Sequence, residues 1–148
     1  MEKGFKSLVK VCAYLFLAGC LIGMATQPLS AQVTIPQHST INSAIFHVYE
    51  TYAFGQINQT VTLRRITADW GECSVTFDNL AGHFDVVAGT FLTQTYSWRT
   101  VNIAALVQDW VNGTPNYGFI MMQEPNIPIT AYDSSEYPIV DFRPWLEI

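Results

Sequence analysis

Apolar and polar residues alternate from Ile41 to Tyr49 and again from Val61 to Thr67, with many β-branched and aromatic side chains among them. A period of two with that composition predicts strands whose two faces meet different surroundings. Cys73 to Phe77 reads as a third strand, closed by the turn formers Asp78 and Asn79. Between Asn79 and Ser97 the pattern weakens and predicts a loop with one strand near Phe91 to Tyr96. The period then changes: Ile103, Leu106, Val107, Trp110 and Val111 recur at helical spacing within Val101 to Val111. That is one amphipathic helix of about three turns, with Trp110 on its core side. It ends at Asn112-Gly113, because glycine accepts the left-handed conformation that stops helices and Pro115 prevents continuation. Beyond it, Tyr117 to Gln123 reads as a buried strand and Glu124 to Pro128 as a loop. Ile129 to Tyr132 then reads as a short strand, and Ile139 to Ile148 as a last strand interrupted at Arg143-Pro144.

The N-terminus follows a different pattern. Lys3, Lys6 and Lys10 precede an apolar run from Val11 to Ala25, and a polar stretch containing Pro28 leads to Ala31. That order is the order of a secretory signal peptide, and the run is shorter than the roughly 18 residues of a membrane span. Residues 1–31 are therefore read as a removed leader and 32–148 as one domain, long enough to bury an ordinary core. A second route competes, since Leu17-Ala18-Gly19-Cys20 also has the pattern of a bacterial lipobox, with Cys20 as the lipidated residue. Leu21, Ile22 and Met24 prolong the apolar run past Cys20, which favours cleavage after Ala31. Either route predicts a secreted or cell-envelope protein of a bacterium.

Charge narrows the partners. The chain carries 7 cationic and 12 acidic residues. All its lysines lie in the leader, leaving Arg64, Arg65, Arg99 and Arg143 as the cations of the remainder. Nucleic-acid binding needs clustered cations and is disfavoured. Cys12 and Cys20 also lie in the leader, so Cys73 has no intramolecular cysteine to pair with. It is read as a buried thiol on a strand, the alternative being an exposed thiol that bridges two chains.

Signatures of catalysis are sparse. His38, His47 and His83 lack close ligand partners, so no metal site or cofactor is predicted. Nucleophile elbows, Walker loops and dinucleotide-binding glycine motifs are absent from the sequence. Two convergent acids among Asp69, Glu72, Asp133 and Glu136 would suffice for a glycosidase. The structural alternative has Asp69 and Glu72 ordering a turn, and Asp133 or Glu136 pairing with Arg143. Trp70, Trp98, Trp110, Trp145, Tyr52, Tyr117 and Tyr132 could stack on sugar rings, although large aromatics more often pack in cores.

Several ordered segments carry a family resemblance. They are Ile35-Pro36, Thr40 to Ile45, Arg65 to Asn79, Val101 to Gly113, Asn116 to Ile120, Asp133 to Glu136 and Arg143 to Ile148. Together they resemble the DNRLRE domain, a module of bacterial and archaeal surface and secreted proteins. The resemblance implies a jelly-roll-like antiparallel β-sandwich with the 101–111 helix capping one end. It also implies an architecture similar to carbohydrate-binding modules, some relatives binding polysaccharides such as alginate. Two departures stand out: the family's opening strands before the Ile-Pro pair have no counterpart here, and its Ser-Arg-Glu segment reads Ser134-Ser135-Glu136.

The expectation is a non-catalytic extracytoplasmic binding module, with a polysaccharide as the leading ligand and no catalytic residues. Trp98 and Tyr132 are the candidate stacking groups, with Asp133, Glu136 and Arg143 as a polar cluster more structural than ligand-binding. The loss of a cation disfavours anionic polysaccharides, and a neutral glycan or a surface protein fits at least as well. The second expectation is a structural or assembly protein whose unpaired strand edge is completed by self-association or by another chain.

Overall fold

The computed structural model describes residues 11–12, 35–53, 57–71, 73–123 and 130–148. In chain order the elements are β1 (Val11–Cys12), β2 (Ile45–Ala53), β3 (Thr60–Ile66), α1 (Phe77–Leu80), β4 (Phe84–Leu92), β5 (Ser97–Asn102), α2 (Ala104–Val111), β6 (Phe119–Gln123), β7 (Thr130–Tyr132), a 3-10 turn (Val140–Phe142) and β8 (Trp145–Glu147). The strands form two sheets. One has the order β1-β6-β3-β4; in the other, β2 lies between β5 on one side and β7 and β8 on the other. Among the described residues every pairing is antiparallel except the two-residue parallel match of Val11 and Cys12 with Phe119 and Ile120. The architecture is a β-sandwich.

The alternation along β2 makes it the organising strand. Phe46, Val48 and Glu50 are buried, whereas Ile45, His47, Tyr49 and Thr51 remain half-buried on the opposite face. β7 pairs with the C-terminal half of β2 and β8 with the N-terminal half, so two short strands share one edge. Between the sheets, Phe46, Val48, Val101 and Leu146 meet Val61, Leu63, Phe91 and Phe119. The Phe46 and Phe119 rings pack edge to face with centroids 4.9 Å apart. Each such side chain withdrawn from water contributes about 1.5–3 kcal/mol.

The sheets approach closely at Gly89, where an added Cβ would overlap Val101 Cγ2 and lie 3.2 Å from the Asn102 carbonyl oxygen. Helix α2 closes one end of the core with Leu106 and Val107. The Asn102 side chain accepts from the Ala104 N–H, which starts the helix, and Gly113 at φ 107° ends it. Gln108 ties α2 to the N-terminal segment by accepting from the Ile41 N–H and donating to the Ser39 carbonyl.

Several expectations are corrected here. Residues 73–76 form a turn leading into α1, which begins at Phe77, and Cys73 is exposed, not buried on a strand. The reason is local: Thr76 Oγ1 accepts from the Asn79 N–H, Asn79 Oδ1 accepts from the Thr76 N–H, and Asn79 Nδ2 donates to the Ser74 carbonyl. Such bonds offer the backbone an alternative to a sheet ladder. Residues 84–92 form one strand where a loop was expected up to a strand near Phe91 to Tyr96, because β4 pairs with β3 from Phe84 to Leu92; the chain then leaves the sheet until β5 begins at Ser97. Between Ile139 and Ile148, the 3-10 turn occupies Val140–Phe142 and only Trp145–Glu147 is strand. The helix expected over 101–111 begins only at Ala104, because Val101 and Asn102 are paired in β5, and the strands at 45–53, 60–66, 119–123 and 130–132 lie within four residues of the spans expected from the pattern.

Candidate functional site

The two outer faces of the sandwich differ. On the β6-β3-β4 sheet, Ile66 and Ile120 are covered by Leu80 of α1, with Trp70, Val75, Phe84, Tyr117 and Met122 packed around them. Trp70 is fixed there by its indole N–H, which donates to the Tyr117 carbonyl at 2.8 Å. On the other sheet, the outward side chains of β5, β2 and β8 form an aromatic surface.

That surface follows from strand register. Cross-strand partners share a face, and Tyr49 is paired with Trp98, His47 with Thr100 on one side and with Trp145 on the other. Tyr49 meets Trp98 edge to face at 5.5 Å and Phe142 of the 3-10 turn at 4.5 Å. Phe142 continues to Tyr137 at 6.4 Å. Beside this row, the His47 ring stacks on Trp145 with centroids 3.8 Å apart and planes 5° from parallel. His47 Nε2 also lies 3.2 Å from the Glu147 carboxylate. All six rings are half-buried: held by their neighbours, yet not withdrawn from solvent.

Of the residues singled out in the sequence, Trp98 lies in this row and Tyr132 does not. Tyr132 is the partner of buried Glu50 across the β2–β7 ladder, so its ring points into the sandwich, where it meets Phe91 edge to face at 6.0 Å. Burial, then the nearby Glu50 carboxylate, push the Tyr132 hydroxyl well above its usual range. Glu50 is itself raised by burial, against the lowering effects of the Gln94 N–H, which donates to it at 2.9 Å, and of Arg99. Arg99 donates to the Leu92 carbonyl, to Gln94 Oε1 and to Ser97 Oγ. This inner network fixes the turn that precedes Trp98.

Asp133 is buried, its N–H donating to the Tyr49 carbonyl at 3.0 Å, and burial raises its carboxyl. Arg143 donates through Nε to the Tyr137 carbonyl at 2.7 Å, which ties down the segment carrying Tyr137 and Phe142. Glu136 is exposed and bonds locally to Ser134 and Ser135. Among the described residues, neither Asp133 nor Glu136 forms an ion pair with Arg143. Asp69 is exposed and accepts from the Trp70 N–H, while Glu72 lies outside the described residues, as does Cys20. Trp110 packs half-buried against the core, on the side expected from the helical spacing. Among the described residues no cluster of three His, Cys, Asp or Glu could hold a metal ion.

Tyr49, Phe142, Tyr137, His47 and Trp145 were not singled out together by the sequence. The alternation along β2 put His47 and Tyr49 on one face; pairing with β8 and the 3-10 turn brought the others to them.

Among the described residues the sandwich thus covers one outer face with its own chain and lines the other with half-buried aromatics. Residues 31–148 match the model of carbohydrate-binding module family 96, and the chain belongs to that family. No curated protein and no solved structure gives a significant match.

Proposed function

We propose that this protein is a non-catalytic carbohydrate-binding module whose glycan lies on the outer face of the β5-β2-β8 sheet. The observation that carries the reading is the row Trp98, Tyr49, Phe142 and Tyr137. Sugar rings carry apolar C–H faces that pack on aromatic surfaces, and half-buried rings are already ordered before a ligand arrives. Trp98 is the principal contact, whereas Tyr132, Asp133 and Arg143 support the face from within or behind. The segment 1–31 is an export leader in this reading, so binding takes place in the cell envelope or outside the cell. An array of glycans probed with the purified protein tests the proposal. Binding to a defined set, lost in Trp98→Ala, supports it; an array without hits at high protein concentration sinks it.

A second reading is an assembly protein that adds a strand from another chain. Its motivation is the outer edge of β6, which among the described residues is paired only by Val11 and Cys12. Removal of the leader would take that partner away and expose strand donors and acceptors. Light scattering on the secreted protein tests it, since this reading requires a dimer or larger assembly and a monomer excludes it.

A further inference from the structure

We infer that the ligand of the aromatic face is an uncharged glycan chain, lying across the strands of the sheet and longer than one sugar. This rests on the carbohydrate-binding reading and deepens it.

The direction comes from where the rings originate. Trp98 belongs to β5, Tyr49 to β2 and Phe142 to the turn before β8, so the row crosses the strands instead of following one of them. The four rings, in contact through successive centroid separations of 5.5, 4.5 and 6.4 Å, together offer more apolar surface than one pyranose ring covers. Toward the N-terminal end of β2 the same face carries Thr100 opposite His47, and Asn102 and Glu147 opposite Ile45, whose hydroxyl, amide and carboxylate groups can exchange hydrogen bonds with sugar hydroxyls.

The ligand's charge follows from where the cations are. Beyond residue 10 the sequence holds only four arginines. Arg65 grips Asp85 through Nε at 3.0 Å and Nη2 at 2.6 Å, and Arg64 donates to the Asp85 carbonyl; both belong to β3, in the opposite sheet. Arg99 is turned toward Gln94, Ser97 and Leu92. Arg143 is the one arginine beside the row, and its Nε serves the Tyr137 carbonyl. Two carboxylates adjoin the elements that carry the rings: Glu147 of β8, 55% exposed at its side chain, and exposed Asp141, next to Phe142 in sequence, outnumber the single charge of Arg143. Carboxylates accept hydrogen bonds from neutral hydroxyls but repel uronates and sulfated sugars.

Isothermal titration calorimetry on the purified protein separates the possibilities. The probes are cello-, xylo- and manno-oligosaccharides of one to six units, set against oligogalacturonate and oligoalginate at low and high salt. The expected result is binding to a neutral series that strengthens at least tenfold from one unit to four, changes less than twofold with salt, and disappears in Trp98→Ala. Binding of a uronate series that depends on Trp98 and weakens with salt would overturn the inference while leaving the carbohydrate-binding reading intact. No binding to either series would overturn both.

Discussion

Tyr49 and Trp98 face each other across the β2–β5 ladder with ring centroids 5.5 Å apart and planes at 70°, so each ring limits the rotation of the other. Fixing both rings in advance reduces the ordering cost that a ligand would otherwise meet. Tyr49→Phe keeps the ring and is expected to leave glycan affinity within about twofold. Trp98→Ala removes the larger apolar surface and is expected to weaken affinity by tenfold or more, about 1.4 kcal/mol. Calorimetric titration reads both values, and circular dichroism confirms a retained cooperative melt.

At Gly89 the two sheets come into close contact. Its absent Cβ leaves room for Val101 Cγ2, which can adjust, and for the Asn102 carbonyl oxygen at 3.2 Å, a backbone atom of β5 that cannot swing aside as a side chain does. Gly89→Ala is expected to destabilise the fold by about 1–3 kcal/mol through overpacking. A urea titration checks it by a lowered midpoint with an unchanged slope.

Glu50 gives the core a pH dependence of identifiable sign. Its folded pKa is raised by burial above the ordinary value of 4.5, so the native state holds its proton more tightly than the unfolded chain does. Its contribution is most favourable below 4.5 and declines as pH rises through the raised folded value. The substitution Glu50→Gln keeps an acceptor for the Gln94 N–H and removes the charge. The variant is therefore expected to gain stability relative to wild type as pH goes from about 4 to about 7, by an increment that denaturant titrations at the two pH values report. A constant difference between them would contradict the account.

Asp85 acts in the opposite direction. The hydrogen bond from Arg65 is the largest influence holding its pKa below the ordinary 3.8. The stabilisation is thus complete above 3.8 and is lost as pH falls through the lowered value. Asp85→Asn is expected to flatten the acid limb of the melting-temperature profile and to alter the neutral plateau much less, because exposed ion pairs are screened by water.

Much of the scaffold was legible because it depends on local periodicity. The change of period across Val101 to Val111 located α2, and the alternation in β2 and β3 located the two strands on which the sheets are built. The turn at Cys73 was missed because the side chains of Thr76 and Asn79 satisfy the backbone there, and a strand-like run of residues does not reveal that competition. β4 was missed because Gly89 within it and Gly82 just before it weaken the pattern, although Gly89 is needed for the contact between sheets. For the site, Trp98 could be nominated by residue type alone. Tyr132 shares that type but faces inward, since its register opposite Glu50 is set by tertiary pairing. The remaining rings come from four separate segments and become neighbours only in the folded sheet.

The central claim is that the outer face of the β5-β2-β8 sheet receives the glycan. The four indole N–H groups provide internal markers: Trp98 and Trp145 lie on that face, Trp70 donates to the Tyr117 carbonyl on the opposite sheet, and Trp110 packs against the core. Two-dimensional 15N–1H spectra recorded during titration with a bound oligosaccharide follow all four. The account predicts progressive shifts for Trp98, smaller ones for Trp145, and stationary signals for Trp70 and Trp110. Saturable shifts confined to Trp70 or Trp110, with Trp98 unmoved, would contradict it.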